Sequence, residues 1–481
     1  IYYLENDKIH KIDYPGGILS SAVINNKLYM TSGNGIHLLN GNSFTLIPNT
    51  DKCTQSKTVG MFGYDNKLLI VTAQDGIYIY DGIEAKPINT SADSFIGKNQ
   101  LLCSAMKDSL LALGSVLDGV LLLNIRNGEI EKISIANGLQ NKTVLSMLFD
   151  RENNLWLGLD NGIDCIHLNT PMFFLYSNNS AIGSGYSSIF YKSKLYLGTN
   201  QGVYATDYPI KLTENTNLEF IQQTEGQIWS IIEHDGKLFC GGSNSLTVFD
   251  GNRSYKVKGI RGVWNIYPLK QSLGFILCGT YTGLYILKKT GDDWVVSHQV
   301  DNAHYAAKNV YIEEVTNAIW ITNKERGIFR LKLSADLKEA EIKNYNNDSL
   351  PTGYNTYITR VNGEITIVSQ QGLFRYNQIK DRLERYKNLE NILDGNVPYT
   401  YIMQDEQNNI WYTSKGILKL ARYQPNTGTW VNKGESYLGE YLIEEFEHVA
   451  IYGNHHELIG TKEGFCLLDF NKAIRKRHPL N

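Results

Sequence analysis

No stretch of the chain holds the roughly 18 consecutive apolar residues of a membrane-crossing helix, so the sequence itself contains no membrane span. Charge of one sign is also missing. Lys and Arg number 46 against 49 Asp and Glu, a net charge of -3 with both signs interspersed. That balance leaves no basic field for nucleic acid and no acidic tract typical of disorder. Proline is scarce, with 10 in 481 residues. The six cysteines, Cys53, Cys103, Cys165, Cys240, Cys278 and Cys466, form no CxxC pair and no metal-type cluster. Cys240, in Leu-Phe-Cys-Gly, and Cys278, in Ile-Leu-Cys-Gly, hold equivalent places, which favours small buried hydrophobes, with a disulfide framework as the alternative. No HExxH, P-loop, nucleophile elbow or dinucleotide fingerprint occurs, and no cofactor is expected. The opening residues Ile1-Tyr2-Tyr3-Leu4-Glu5 lack the features of a signal peptide.

Glycine is abundant at 43, aromatics reach 11%, and 31 of the residues are Tyr. Tyr, Ile, Val and Thr suit half-buried pleated strands, and Gly suits tight turns. The composition leans all-β, and the length permits a large core without staples.

A short pattern recurs along the chain: a polar turn, a strand, two or three polar residues, then Gly and a second strand. Lys27-Leu28-Tyr29 leads to Gly35, Asn154-Leu155-Trp156-Leu157-Gly158 to Gly162, and Lys194-Leu195-Tyr196-Leu197-Gly198 to Gly202. The anchoring glycines are Gly35, Gly76, Gly119, Gly162, Gly202, Gly283, Gly327, Gly372, Gly416 and Gly464, with the equivalent place near Ser245 lacking its glycine. The spacing runs from 38 to 48 residues over eleven copies, the length of a four-stranded propeller blade. Each copy carries period-two apolar patterning and cannot bury both sheet faces alone, so radial stacking is the solution. No amphipathic helix separates the strands, which excludes a parallel α/β fold.

Propellers close with four to eight blades, so eleven copies predict tandem β-propellers. The rhythm breaks near 169–180, at Asn-Thr-Pro-Met-Phe-Phe-Leu-Tyr. The expected division is a partial first propeller of about four blades over 1–170, a seven-bladed propeller over 171–474 and a linker over 475–481. Residues 1–12 match the later half of a copy, so either earlier blades are missing or end strands complete a shared blade. The basic end, Arg475-Lys476-Arg477, reads as a solvated linker rather than a membrane-proximal patch.

The copy Asp150-Arg151-Glu152-Asn153-Asn154-Leu155-Trp156-Leu157-Gly158-Leu159-Asp160-Asn161-Gly162 closely resembles the two-component regulator propeller repeat. Gln404-Asp405-Glu406-Gln407-Asn408-Asn409-Ile410-Trp411 resembles it again. Through these copies the chain is similar to the extracytoplasmic sensor region of gut-bacterial hybrid two-component systems. The resemblance implies two seven-bladed propellers followed by an immunoglobulin-like domain, a membrane helix and a signalling output. It implies sensing of glycan breakdown products, a periplasmic location, and tethering to the inner membrane through segments outside this chain. A homodimer would form through the full-length receptor. About three blades of the family pattern are absent at the front.

Chemistry is sparse on the strands. Glu444 and Glu445, like Glu313 and Glu314, are adjacent and on a strand would face opposite ways. His455 and His456 read as a solvated turn rather than a metal site. Asp150 and Asp405, one turn before a Trp strand, read as caps of backbone N–H groups. Trp156, Trp320 and Trp411 read as blade-packing residues.

A different set recurs at the start of the first strand of each later repeat. It comprises Tyr186, Trp229, Arg261, Trp264, Asn265, Lys308, Tyr354, Tyr357, Tyr399 and Tyr401, with Ser187, Ser230, Asn309, Asn355 and Thr400 interleaved. First strands line a propeller's central channel, so these positions converge at one mouth. Aromatic faces with interleaved polar groups suit an oligosaccharide. The sequence therefore predicts a ligand-sensing module rather than an enzyme. A protein-interaction propeller and a glycan-cleaving propeller are the alternatives.

Overall fold

Strand and tight turn alternate along the chain in a computed structural model that describes residues 1–481 except 6, 13, 15–16, 136–137, 169–171, 176–181, 211–217, 252, 347–355, 454–455 and 470–481. The expected glycine ladder has a conformational cause. All ten anchoring glycines have positive φ, from +71° at Gly119 to +147° at Gly202, a region costly for residues with a Cβ. At Gly283 a Cβ would also stand 2.3 Å from the Ala303 carbonyl oxygen. Ser245, where the glycine is lost, is outside the positive-φ set.

Two compact units divide the chain, Ile1–Thr170 and Pro171–Asn481. The first opens with a hairpin, Tyr2–Glu5 and Lys8–Lys11. Three four-stranded antiparallel sheets follow, with first strands Ser20–Ile24, Thr58–Tyr64 and Leu101–Lys107. A three-stranded sheet begins at Val144–Phe149. Apolar clusters join neighbouring sheets: Leu69, Val71 and Ile77 pack with Leu111, Leu113 and Leu121.

The second unit holds seven four-stranded blades. Their first strands are Gly185–Tyr191, Ile228–His234, Val263–Pro268, Asn309–Ile312, Thr356–Val361, Tyr399–Gln404 and Val449–Tyr452. Successive first strands contact each other from the first blade to the sixth, the seventh contacts the first, and the sixth and seventh blades share a core, so the ring is closed with first strands innermost. The cores lie between blades, as where Trp411, Leu418 and Leu420 of the sixth blade meet Val449, Ile459 and Cys466 of the seventh.

The segment read as a rhythm break carries the strand Met172–Leu175, which pairs antiparallel with Gly464–Asp469. The seventh blade thus takes its outer strand from the start of the unit and its other three from the end.

All six cysteines are free thiols. Burial pushes Cys240 and Cys466 up to about 12, which fits small apolar packing groups. Trp320 and Trp411 are fully buried between blades, whereas Trp156 is 45% exposed. Its cross-strand partner Leu148 is exposed as well, because among the described residues no further sheet of the first unit covers that face. The 475–481 linker and His455 lie outside the described residues, and His456 opens the strand His456–Thr461 rather than sitting in a turn.

Candidate ligand-binding site at the mouth of the seven-bladed ring

Four inner strands share one irregularity. The register of pairing shifts across Gly185/Ser187, Ile228/Ser230, Val263/Asn265 and Tyr399/Tyr401, so Tyr186, Trp229, Trp264 and Thr400 are bulged residues. A bulge breaks strand alternation and re-aims a side chain. The residue before each bulge is buried, and the bulged residue turns to the channel mouth, joined by the residue after it at Asn265 and Tyr401. The first unit has the same shift on three inner strands, but its bulged residues are Val59, Leu102 and Leu145. Among the described residues, the aromatic and polar version belongs to the second unit alone.

The mouth encloses a cavity of about 150 Å³, to which every blade contributes. Tyr186, Trp229 and Trp264 with Asn265 come from the first three blades. Lys308 and Asn309, then Thr356, Tyr357 and Gln370, come from the fourth and fifth. Thr400 and Tyr401 belong to the sixth, and Glu445, Phe446 and Glu447 precede the inner strand of the seventh.

One side of the mouth is aromatic. Trp229 stacks on Phe446 with ring centroids 5.0 Å apart and planes at 22°. Tyr186 meets both rings edge-on, at 5.0 Å and 5.7 Å. Trp229 Nε1 donates to the Tyr281 hydroxyl at 3.1 Å, and that ring lies 4.4 Å from Trp264.

The other side is polar. Lys308 Nζ lies 3.7 Å from Glu445 Oε2 and 3.7 Å above the Phe446 ring. Burial lowers the Lys308 ammonium from its ordinary value, and Glu445 and Glu447 oppose that shift. Burial raises the Glu447 carboxyl, against a hydrogen bond donated by Thr400 Oγ1. Glu445 sits in a turn at φ +66°, so the strand argument that set Glu444 and Glu445 on opposite faces does not apply there. Tyr357 and Tyr401 face each other at 5.5 Å on the channel wall.

Two polar atoms at the mouth are buried without a hydrogen-bond partner: the donor Trp264 Nε1 and the acceptor Asn265 Oδ1. Unpaired buried polar atoms are costly, and both residues belong to the cavity lining.

Seven of the ten residues singled out in the sequence, Tyr186, Trp229, Trp264, Asn265, Lys308, Tyr357 and Tyr401, line this cavity. Arg261 is exposed and is not among the lining residues. Tyr399 is fully buried; its hydroxyl donates to the Gly395 carbonyl at 2.8 Å and its ring packs near Tyr412. It is the core residue before the Thr400 bulge, and the bulge sends its neighbours to the mouth instead. Tyr354 lies outside the described residues. Glu445, Phe446, Glu447, Thr356 and Gln370 were not singled out for this site. The first three were within reach, since Phe446 precedes the seventh inner strand as Tyr186 and Trp229 mark the starts of theirs.

No protein-family model matches the chain, and no curated protein matches it. Among solved structures it is similar to the extracellular domain assigned to the hybrid two component system BT3049 of B. thetaiotaomicron, at 15% identity and a TM-score of 0.62. That likeness covers 99% of this chain and 66% of the other, so the chain spans just under two thirds of that structure. The extracellular domain of the one component system BT4673 of B. thetaiotaomicron follows at 13% identity and a TM-score of 0.47, covering 96% of this chain and 71% of that one. The WD40 β-propeller domain of Doa1 matches at 9% identity and a TM-score of 0.44, covering 60% and 93%. The fold is the β-propeller architecture that the repeat resemblance implies for two-component sensor regions. Among the described residues no helix is long and apolar enough to cross a membrane.

Proposed function

We propose that the chain is an extracytoplasmic ligand-sensing module of a signalling receptor, and that it binds an oligosaccharide at the mouth of the seven-bladed ring. The observation that carries this reading is the convergence of bulged aromatic and polar residues from the inner strands on one cavity. The rings of Trp229, Phe446 and Trp264 supply apolar faces for C–H groups. The extracellular origin of the similar B. thetaiotaomicron domain supports a location outside the cytoplasm. Signalling then requires that the ligand favour one receptor arrangement over another.

Thermal-shift screening against a glycan-fragment panel, followed by calorimetry, tests this. A saturable hit, weakened about tenfold or more by Trp264→Ala, is the expected outcome. A panel with no stabilising member sinks the reading.

One observation favours a second reading. Glu445 and Glu447 share the cavity in unlike environments, one paired with Lys308 and one accepting from Thr400, and two carboxylates at one cavity are the machinery of glycoside hydrolysis. Turnover of the bound fragment by the purified chain would establish cleavage in place of sensing alone.

A further inference from the structure

The charges at the mouth are few and already committed. Among the described residues, Lys308 is the one cationic side chain in the lining. Its ammonium is held between Glu445 Oε2 and the Phe446 ring. The other carboxyl on the described wall is Glu447, which accepts from Thr400. Arg261, the guanidinium expected at this mouth, is not in the lining.

A carboxylate or sulfate entering the cavity would have to draw Lys308 away from Glu445 while lying close to two acidic groups, in surroundings partly stripped of water. Like charges in such a site repel strongly. The cavity, about 150 Å³, is smaller than the roughly 300–1,000 Å³ of sites that enclose a whole drug-sized ligand. It suits one ring at the end of a chain.

We propose that the mouth receives the uncharged terminal ring of a glycan, and that the Lys308–Glu445 pair turns away ends bearing a uronate or a sulfate. This rests on the glycan-binding reading above and adds the class of sugar that the same site accepts.

Matched neutral and acidic disaccharides test it by calorimetry on the whole chain: galactobiose against digalacturonate, and cellobiose against cellobiuronate. The neutral member of at least one pair should bind about tenfold or more tighter than its acidic counterpart. Glu445→Gln makes Lys308 available to an incoming anion, so the neutral-to-acid affinity ratio should fall about tenfold. Lys308→Gln removes the cation that offsets Glu445, so the ratio should rise. The two opposite shifts, in proteins whose Tm stays close to that of the parent, separate a charge gate from loss of folding. Should Glu445→Gln fold poorly, the direction of the Lys308→Gln shift decides alone. Neutral binding without discrimination, or tighter binding of the acidic member, overturns this inference and leaves the glycan reading standing. Failure of every disaccharide to bind overturns the glycan reading, and this inference falls with it.

Discussion

Ser188 Oγ and His448 Nε2 stand 2.7 Å apart across the seam where the seventh blade meets the first. Tyr452 donates to the same Ser188 oxygen at 2.8 Å. The serine proton is free to go to Nε2 when that nitrogen is unprotonated. Burial agrees, lowering His448 from 6.5 to about 4.

That depressed value makes the seam sensitive to acid. The unfolded state takes up the proton near pH 6.5 and the folded state only near 4, so stability falls as pH drops through that window, by up to about 3 kcal/mol. The test is a difference from a variant, because Glu457 of the same unit titrates over much of this range with the opposite sign. His448→Gln, which keeps an acceptor and does not titrate, should gain Tm relative to the parent as pH falls from 6.5 to 4 in a calorimetric pH series.

Glu457 carries the opposite sign. It is 8% exposed, its Oε2 has no hydrogen-bond partner, and burial raises it to about 7. The folded state holds the proton where the unfolded state has lost it. Stability therefore falls as pH rises from 4.5 to 7, and the full cost stands above 7. Glu457→Gln should raise the Tm at about pH 8 and leave it nearly unchanged at about pH 4.

Asp405 organises a hairpin. Its Oδ1 accepts from the Asn409 amide at 2.7 Å, and its Oδ2 accepts from Asn409 Nδ2 at 2.9 Å and Trp411 Nε1 at 3.3 Å. Asp150 repeats the arrangement with Asn154 and Trp156. Trp411 is buried and Trp156 is half exposed. Asp405→Ala should therefore cost about 1–3 kcal/mol and lower the melting of its unit by several degrees. Asp150→Ala should lower that of the first unit by less, because water can replace the lost partner of Trp156.

Two ladder glycines separate backbone strain from collision. Gly416, at φ +74°, has nothing within 4 Å of the position a methyl would take, so Gly416→Ala should cost about 1–2 kcal/mol from φ alone. Gly283→Ala adds the 2.3 Å approach to the Ala303 carbonyl oxygen. It should lower the Tm more, as measured side by side.

The sequence made the propeller legible because its signals are local. Positive φ at Gly202 and Gly283 demands glycine at one place per blade, and the Asp405-to-Trp411 hydrogen bonds demand fixed residues at fixed spacing. The mouth was legible in part, since Tyr186 and Trp229 mark the starts of inner strands. Strict alternation hid the rest. It cannot place both Trp264 and Asn265 on one cavity, and it cannot send Tyr399 inward while Thr400 and Tyr401 line the mouth. Both follow from bulges, which leave no residue signature of their own. Glu445 and Glu447 escaped because they lie in a turn and in the irregular segment after it, outside strand rules. Trp156 read as a packing residue, since exposure depends on whether another sheet covers its face.

The strand Met172–Leu175 also bears on the order of folding. Among the described residues its strand partner is Gly464–Asp469, so on the ribosome it emerges ahead of the rest of its unit and pairs last. Until then its Met-Phe-Phe-Leu side chains stay without their sheet, and contacts of such high sequence separation form slowly. The ring should close as the final cooperative step. A chain cut before Gly464 should leave six blades and an apolar strand with nowhere to dock, a species prone to aggregate rather than to fold.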